Sequence, residues 1–148
     1  MKTIQIQIPD GYEIDNFDPK KGEVKFKKIP KDIKSRLKTM DDVYSYHGIN
    51  KEEFEKDFEN LTTDEIGYRK VKLIVSAYNE NEKPDYSNTD QRKYFPRFHR
   101  SASGGFSYYD YATWASSSSV GFRLEFLSYE NLLDAVEKFL PEYEQFLT

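Results

Sequence analysis

The spacing of apolar residues changes period three times along this chain of 148 residues. Apolar side chains alternate with polar ones over residues 4–26 and again over residues 94–126, a pattern typical of half-buried β-strands. Over residues 29–78 and 128–147 they recur every three or four residues, as on one face of an α-helix. Strand and helix patterns in separate blocks predict an α+β fold, and we expect the strands to form one sheet covered by the helices.

The first alternating region predicts an N-terminal β-hairpin. Residues 4–8 read as a strand that a Pro-Asp-Gly turn at residues 9–11 ends, and the period of two continues over residues 12–14. A second turn at residues 18–22 precedes another alternating run at residues 24–26. We therefore expect antiparallel strands joined by a tight turn.

Central helices are predicted from their start signals. A short helix is expected near Pro30, and Thr39 and Asn50 are suitable N-caps for two more. Thr62 begins a longer helix, because a glutamate three residues later completes a capping box. A polar loop containing Pro84 follows that helix.

The last third predicts a three-stranded antiparallel meander followed by an amphipathic helix. Its strands are expected at residues 94–98, 106–115 and 120–126, with turns rich in serine and glycine between them. Ser128 is placed to cap the final helix, which Pro141 must bend or divide.

Length and composition favour one globular domain over residues 1–148, since 37% of residues are hydrophobic and 32% charged. The absence of cysteine excludes disulfides, thiol catalysis and cysteine-based metal sites. No apolar run is long enough to cross a membrane, and the N-terminus lacks the apolar region of a signal peptide. We expect a cytoplasmic protein that does not contact a membrane.

Four short segments resemble a known family when they are taken in order. They are IPDGYEID (8–15), KPDY (83–86), KYFPRF (93–98) and VGFRL (120–124). Together they resemble a family of small hypothetical proteins from phages and mobile elements of Bacteroidetes-type gut bacteria. The chain departs from that pattern at Tyr86, where the family has Trp, and at Phe122, where it has a small residue. The resemblance implies a phage or mobile-element origin and a location in the host-cell cytoplasm, and it carries over no catalytic residue.

Charge is unevenly distributed, although the net charge is only −4. Residues 20–38 hold nine basic and two acidic side chains, a net charge of +7. Residues 92–100 form a second basic cluster without an acid, and residues 41–59 are strongly acidic. Such polarity can steer an anionic partner, or it can simply be a solvated surface.

No motif indicates an enzyme. His47 and His99 are the two histidines, and neither belongs to a metal-binding motif. The glycines form neither a P-loop nor a dinucleotide fingerprint, and no serine lies in a nucleophile elbow. We therefore expect no catalytic residue, no cofactor and no metal.

Asp110 stands out among the carboxylates because its strand neighbours are aromatic. Strict alternation would place it on one face with Tyr108 and Trp114. If that face is buried, Asp110 must pair with a base such as Arg97 or Arg123, or its pKa must shift. If the face is exposed, the carboxylate is solvated.

Aromatic residues make up 16% of the chain. Six phenylalanines fall on predicted core faces: Phe54, Phe58, Phe122, Phe126, Phe139 and Phe146. Other aromatic residues combine with basic ones to form a candidate binding surface: Arg92, Lys93, Tyr94, Arg97, Phe98, Arg100, Tyr109, Tyr111 and Trp114.

That combination has three explanations. Tyrosine suits a half-buried strand for structural reasons alone. Tyr, Trp and Arg also dominate protein-binding surfaces, and aromatic rings beside arginine can bind single-stranded nucleic acid. We expect a non-enzymatic protein that binds a protein partner through an aromatic sheet face. The alternative is single-stranded nucleic-acid binding through the basic clusters at residues 20–38 and 92–100.

Overall fold

The protein has an α+β fold in a computed structural model that describes residues 5–115 and 124–148. The described residues form two antiparallel two-stranded sheets and six α-helices. The strands are β1 (Tyr12–Asp18), β2 (Glu23–Lys28), β3 (Lys93–Arg100) and β4 (Phe106–Trp114). The helices are α1 (Ile33–Arg36), α2 (Met40–Tyr46), α3 (Lys51–Glu55), α4 (Thr63–Tyr78), α5 (Tyr129–Lys138) and α6 (Leu140–Leu147), with a 3₁₀ turn at Lys56–Asn60.

Strands β1 and β2 form the expected N-terminal hairpin. Asp18 stabilises its turn, because one carboxylate oxygen accepts backbone N–H bonds from Lys20 at 2.9 Å and Lys21 at 3.2 Å. Gly22 completes the turn with a φ of +68°, which glycine adopts without a steric penalty. The prediction of a strand over residues 4–8 fails in its described part, since residues 5–9 form no strand. Ile4 lies outside the described residues.

A β-bulge collects the apolar side chains of this hairpin on one face. The register shifts between Ile14 and Asn16, so that Phe17 pairs with Val24 on the face that also carries Ile14. That face is largely uncovered, because Ile14 is 44% exposed and Phe17 is 53% exposed. The hairpin therefore adds little to the core.

The helices begin close to their predicted caps. The first starts at Ile33 rather than near Pro30, because the Asp32 carboxylate accepts a hydrogen bond from the backbone N–H of Lys34 at 3.0 Å. The next three predicted caps, Thr39, Asn50 and Thr62, directly precede α2, α3 and α4. Local side-chain chemistry thus accounts for most helix starts.

The core lies between α4 and the two C-terminal helices. Its fully buried side chains include Val71, Ile74 and Tyr78 from α4, and Leu132, Ala135 and Phe139 from the C-terminal segment. Helices α4 and α6 cross at Gly67, where an added Cβ would lie 2.3 Å from the backbone nitrogen of Phe146. Only a residue without a side chain permits this approach.

The final helical segment is divided, as Pro141 predicts. Helix α5 ends at Lys138, Phe139 leaves the helical conformation with φ −116° and ψ 26°, and α6 begins at Leu140. Pro141 lies in the first turn of α6, where its missing N–H costs no hydrogen bond. The helices on either side of this break both contact α4.

The expected three-stranded meander is not matched, because the described residues form two strands there, β3 and β4. Phe126 makes a single antiparallel bridge with Tyr94 on β3, with N···O distances of 2.9 and 2.7 Å. A meander would instead have placed its third strand beside β4. Residues 120–123 of the predicted third strand lie outside the described residues. The expectation of one sheet is also wrong for the described strands, since β1–β2 and β3–β4 are separate.

Candidate functional site

A β-bulge in β4 decides which aromatic residues share a face. The register shifts so that Arg97 pairs with Asp110 while Phe98 pairs with Tyr108, which leaves Tyr109 as the extra residue. Alternation therefore reverses at Tyr109. The expectation that Asp110 shares a face with Tyr108 is wrong, because the bulge turns them to opposite sides.

The inner face of the β3–β4 hairpin packs on the C-terminal helices. We define it by Tyr94, Phe98, Tyr108 and Tyr111. The Tyr111 ring lies 4.6 Å from Tyr129 of α5 and 6.0 Å from Tyr94, measured between ring centroids. Phe98 contacts Phe106, Tyr108 and Tyr143 with centroid distances of 4.9, 6.4 and 4.9 Å. These rings hold the hairpin against the helices.

The outer face is defined by Phe95, Arg97, His99, Tyr109 and Asp110. Arg97 binds Asp110 through two hydrogen bonds, one of them from Nε to Oδ1 at 2.6 Å. Arg97 is one of the two partners expected for Asp110 in the case of a buried face. In the structure, both side chains are partly exposed. Tyr109 is 69% exposed, with its ring 6.4 Å from that of His99.

Trp114 lies at the end of the outer face. Its ring centroid is 4.9 Å from that of Phe95, and its side chain is half-buried. It marks the boundary between the outer face and a buried polar cluster, which consists of Asn79, Tyr86, Lys93 and Glu125.

Lys93 is fully buried and has a structural role. Its Nζ donates to the backbone carbonyl oxygens of Asp85 at 2.6 Å, of Asn88 at 3.1 Å and of Ala115. Three carbonyls from two loops thus converge on one ammonium group, which satisfies its donors without a surface partner. Lys93 therefore does not contribute to an exposed binding surface.

Glu125 is the second charged residue without exposed surface. One of its carboxylate oxygens accepts a hydrogen bond from the Tyr86 hydroxyl at 3.0 Å, and its backbone carbonyl accepts one from Asn79 at 2.7 Å. Burial raises the pKa of Glu125, while the Tyr86 hydroxyl, the Lys93 ammonium and the Trp114 side chain oppose that rise. The cluster joins the end of α4, the loop before β3 and the segment before α5.

The nine predicted site residues therefore separate into three groups. Tyr94, Phe98 and Tyr111 belong to the inner face, and Lys93 belongs to the buried cluster with Trp114 at its edge. The remaining four, Arg92, Arg97, Arg100 and Tyr109, are exposed, and Tyr111 on the inner face is also 38% exposed. They lie along β3 and at the bulge opposite it.

Two surfaces were missed by the sequence reasoning. One is the uncovered apolar face of the β1–β2 hairpin, whose alternation had predicted a half-buried strand. The other is a cavity of about 380 Å³ between that hairpin and the first two helices. Its only signal in the sequence is the density of basic residues over residues 20–38.

The histidines occupy different surroundings. The Nε2 atom of His47 lies 2.9 Å from the backbone carbonyl oxygen of Leu73, which ties α2 to α4. His99 is exposed on the outer face. Within residues 5–115 and 124–148, no three His, Cys, Asp or Glu side chains are grouped so that they could hold a metal ion.

In the described parts of the chain, no helix is both long enough and apolar enough to cross a membrane.

Comparisons with protein-family models, with curated proteins and with solved structures found no significant match to this chain.

Proposed function

We propose that this protein is a non-enzymatic binding protein whose outer face docks on a protein partner. The observation that carries the proposal is the 69% exposure of Tyr109 on a strand whose other aromatic residues are partly covered. A tyrosine presents a large contact area at a low cost in conformational entropy, so exposed tyrosines are common at binding surfaces.

The surroundings of Tyr109 indicate the chemistry of the partner. Arg97 is neutralised by Asp110, but Arg92, directly before β3, and Arg100, the last residue of β3, are exposed. An exposed tyrosine on a hairpin that carries exposed arginines at its two ends is complementary to an apolar pocket rimmed by carboxylates. The partner is therefore a protein with an acidic rim.

The family resemblance supports an origin for this protein. Its four segments fit a phage or mobile-element accessory protein, which would act in the cytoplasm of the host cell. The protein partner would then be a host or mobile-element protein in that compartment.

Single-stranded nucleic acid is the second candidate ligand. It is favoured by two exposed rings of the β1–β2 hairpin that lie beside exposed lysines. Tyr12 pairs with Lys28, and Phe17 lies next to the turn that carries Lys20 and Lys21. The second basic cluster supports it less, because Lys93 is buried and Arg97 is paired. Oligothymidylate binding that weakens steeply as salt is added would support this candidate.

Site-specific photo-crosslinking tests the protein-binding proposal. A photoreactive residue at Ser107, which pairs with His99 on the outer face, should capture one specific protein in cells. The same residue at Asn16 on the β1–β2 hairpin is the matched control and should not capture it. The captured protein is then purified for binding measurements.

Binding constants for the purified partner decide the role of the outer face. Tyr109→Ala should raise Kd by about thirtyfold, the equivalent of ~2 kcal/mol at a hot spot, and Arg100→Glu should slow association. Tyr12→Ala, which removes an exposed tyrosine elsewhere, should leave Kd unchanged. Equal binding by the Tyr109→Ala variant and the unmodified protein would refute the proposed surface.

A further inference from the structure

A polar cavity lies between the β1–β2 hairpin and the first two helices. It has a volume of about 380 Å³, within the range of small-molecule sites. Lys28 of β2, Arg36 of α1 and Lys38 of the following loop contribute to its wall. Cations that are far apart on the hairpin and helices thus face one space.

The acidic residues of the wall are already engaged. Glu13 forms an ion pair with Lys27, with an N···O distance of 3.4 Å. The Asp42 carboxylate accepts hydrogen bonds from the backbone N–H groups of Lys38 at 3.0 Å and Thr39 at 2.9 Å. The hydrogen bonds to Asp42 come from neutral groups and leave its charge in place. With four cations against two carboxylates, the wall still keeps a net positive charge.

Three of the four cations of the wall have no such partner, and the fourth, Lys27, is the partner of Glu13. Among residues 5–115 and 124–148, neither Lys28, Arg36 nor Lys38 makes an ion pair with a carboxylate. The Arg36 guanidinium instead lies 5.1 Å from the centre of the Tyr46 ring, which limits its freedom and keeps its charge at the cavity. The site is electropositive and partly preorganised.

Neutral hydrogen-bond donors complete the wall. The hydroxyl groups of Ser35, Ser45 and Tyr46 belong to residues that line the same cavity. Hydroxyl donors beside a guanidinium and two ammonium groups suit the oxygen atoms of a phosphate, because arginine binds such oxygens in a bidentate geometry. A single phosphate group would fill only part of the space, which leaves room for an attached organic group.

We propose that this cavity binds a small phosphorylated molecule, a phosphate ester or diphosphate. Arg36 and Lys38 hold the phosphate, Lys28 closes the site from the hairpin, and the Tyr46 ring lies beside the organic part. The site is separate from the outer face of the β3–β4 hairpin, so it does not depend on the proposed protein partner.

Calorimetric titration with inorganic pyrophosphate tests the site on the full chain. The unmodified protein should bind pyrophosphate, and Arg36→Gln with Lys38→Gln should raise Kd by about tenfold or more, as expected for lost charge-assisted hydrogen bonds. The matched control is Lys20→Gln with Lys21→Gln, which removes the same charge at the hairpin turn outside the cavity wall. Its Kd should stay within about twofold of the original value.

A second variant blocks the space without changing the charge. Ser45→Phe places a large ring at an exposed position on α2 that lines the cavity, and it should abolish pyrophosphate binding while circular dichroism stays unchanged. No binding by the unmodified protein, or equal weakening in the control at residues 20 and 21, would overturn the proposal.

Competition distinguishes a small molecule from nucleic acid as the source of the phosphate. Pyrophosphate should displace a nucleoside diphosphate, and oligothymidylate should not compete with either. If oligothymidylate binds at the cavity more tightly than pyrophosphate and is lost in the same variants, the site belongs to a nucleic-acid backbone and the small-molecule proposal is wrong.

Discussion

At the scale of single residues, two buried tyrosines of the core differ in whether their hydroxyl groups have a hydrogen-bond partner. The Tyr78 hydroxyl donates to the Asp134 carboxylate at 2.6 Å, whereas the Tyr143 hydroxyl has no hydrogen-bond partner among the described residues. Burial raises the pKa of both phenols well above their ordinary range. A buried hydroxyl without a partner loses its bonds to water and gains nothing in exchange.

The same substitution should therefore have opposite effects at these two positions. Tyr143→Phe should stabilise the protein by about 1 kcal/mol, because it removes an uncompensated polar group and keeps the ring. Tyr78→Phe should destabilise it by about 1–2 kcal/mol, because it leaves the Asp134 carboxylate with one donor fewer. Urea unfolding at neutral pH measures both changes in free energy. A loss of stability in Tyr143→Phe would contradict this account of its hydroxyl.

Lys93 shows why a basic residue in a basic cluster need not bind an external anion. The other basic residues of the cluster, Arg92, Arg97 and Arg100, are exposed, yet the Lys93 ammonium group is enclosed by three backbone carbonyls. The sequence pattern around it predicted a binding role because burial is not visible in a list of charges. Phe98 and Tyr94 are also excluded from the candidate surface, because their side chains lie on the inner face that packs on the C-terminal helices.

At the scale of elements, the β-bulges limit what alternation can predict. Both hairpins were expected from their period of two, and both are present. Each also contains one extra residue, which reverses the alternation partway along the strand. In β4 the reversal separates Tyr109 from Tyr111, which strict alternation had placed together. Bulges depend on pairing with the second strand, so a single strand's pattern does not locate them.

Helix starts were predicted more accurately than helix packing. Capping is decided within four residues, which explains why Thr39, Asn50 and Thr62 were found from sequence alone. Packing partners are distant in sequence. Of the six phenylalanines expected in the core, Phe126 and Phe139 are fully buried, three others are half-buried, and Phe122 lies outside the described residues.

Gly67 provides a test of helix packing. Helix propensity alone predicts that Gly67→Ala stabilises α4 by about 1 kcal/mol. The contact with α6 predicts the reverse, since the new Cβ would lie 2.3 Å from a backbone atom of Phe146 and force the helices apart. We expect a net loss of about 3 kcal/mol.

Thermal and urea unfolding of the Gly67→Ala variant measure the sign directly. Lys72→Ala on the exposed face of the same helix is the control and should change stability by less than about 0.5 kcal/mol. A Gly67→Ala variant at least as stable as the original would show that α4 and α6 are not in close contact.

At the scale of the whole molecule, Glu125 links parts of the chain that are far apart in sequence. Its pKa is raised above the ordinary value of 4.5 by burial, so the folded protein retains a proton that the unfolded chain releases. Below the ordinary pKa, Glu125 is protonated in both the folded and the unfolded protein, so it does not lower the free energy of unfolding. As the pH rises from there through the folded-state pKa, the group's contribution to stability falls, and it then stays constant.

Glu125→Gln should remove this contribution to the pH dependence. The difference in unfolding free energy between the variant and the original should shift in favour of the variant as the pH rises above about 4.5, the ordinary pKa of a glutamate. Urea unfolding between pH 4 and pH 8 measures that difference. Glu137→Gln, on the exposed side of α5, is the control and should show no such shift. A pH-independent difference for Glu125→Gln would show that the carboxylate titrates normally.

The two binding surfaces proposed here also belong to the scale of the whole molecule. The outer face needs both strands of one hairpin, and the phosphate site needs a hairpin, a helix and a loop. Residues 20–38 were recognised as basic from the sequence, but the cavity that part of this segment lines was not. Charge can be counted along a chain, whereas a cavity exists only after distant elements have packed.

By itself, the sequence determined the α+β class, both hairpins, the division at Pro141 and four of the helix caps, Thr39, Asn50, Thr62 and Ser128. The turns, the caps and the division depend on interactions within a few residues. Only the tertiary structure decided the separation into two sheets, the bridge from Phe126 to β3, the burial of Lys93 and Glu125, and the need for glycine at position 67. Most of these features arise from contacts between residues tens of positions apart. Their energies depend on packing and desolvation, which no local pattern of side chains specifies.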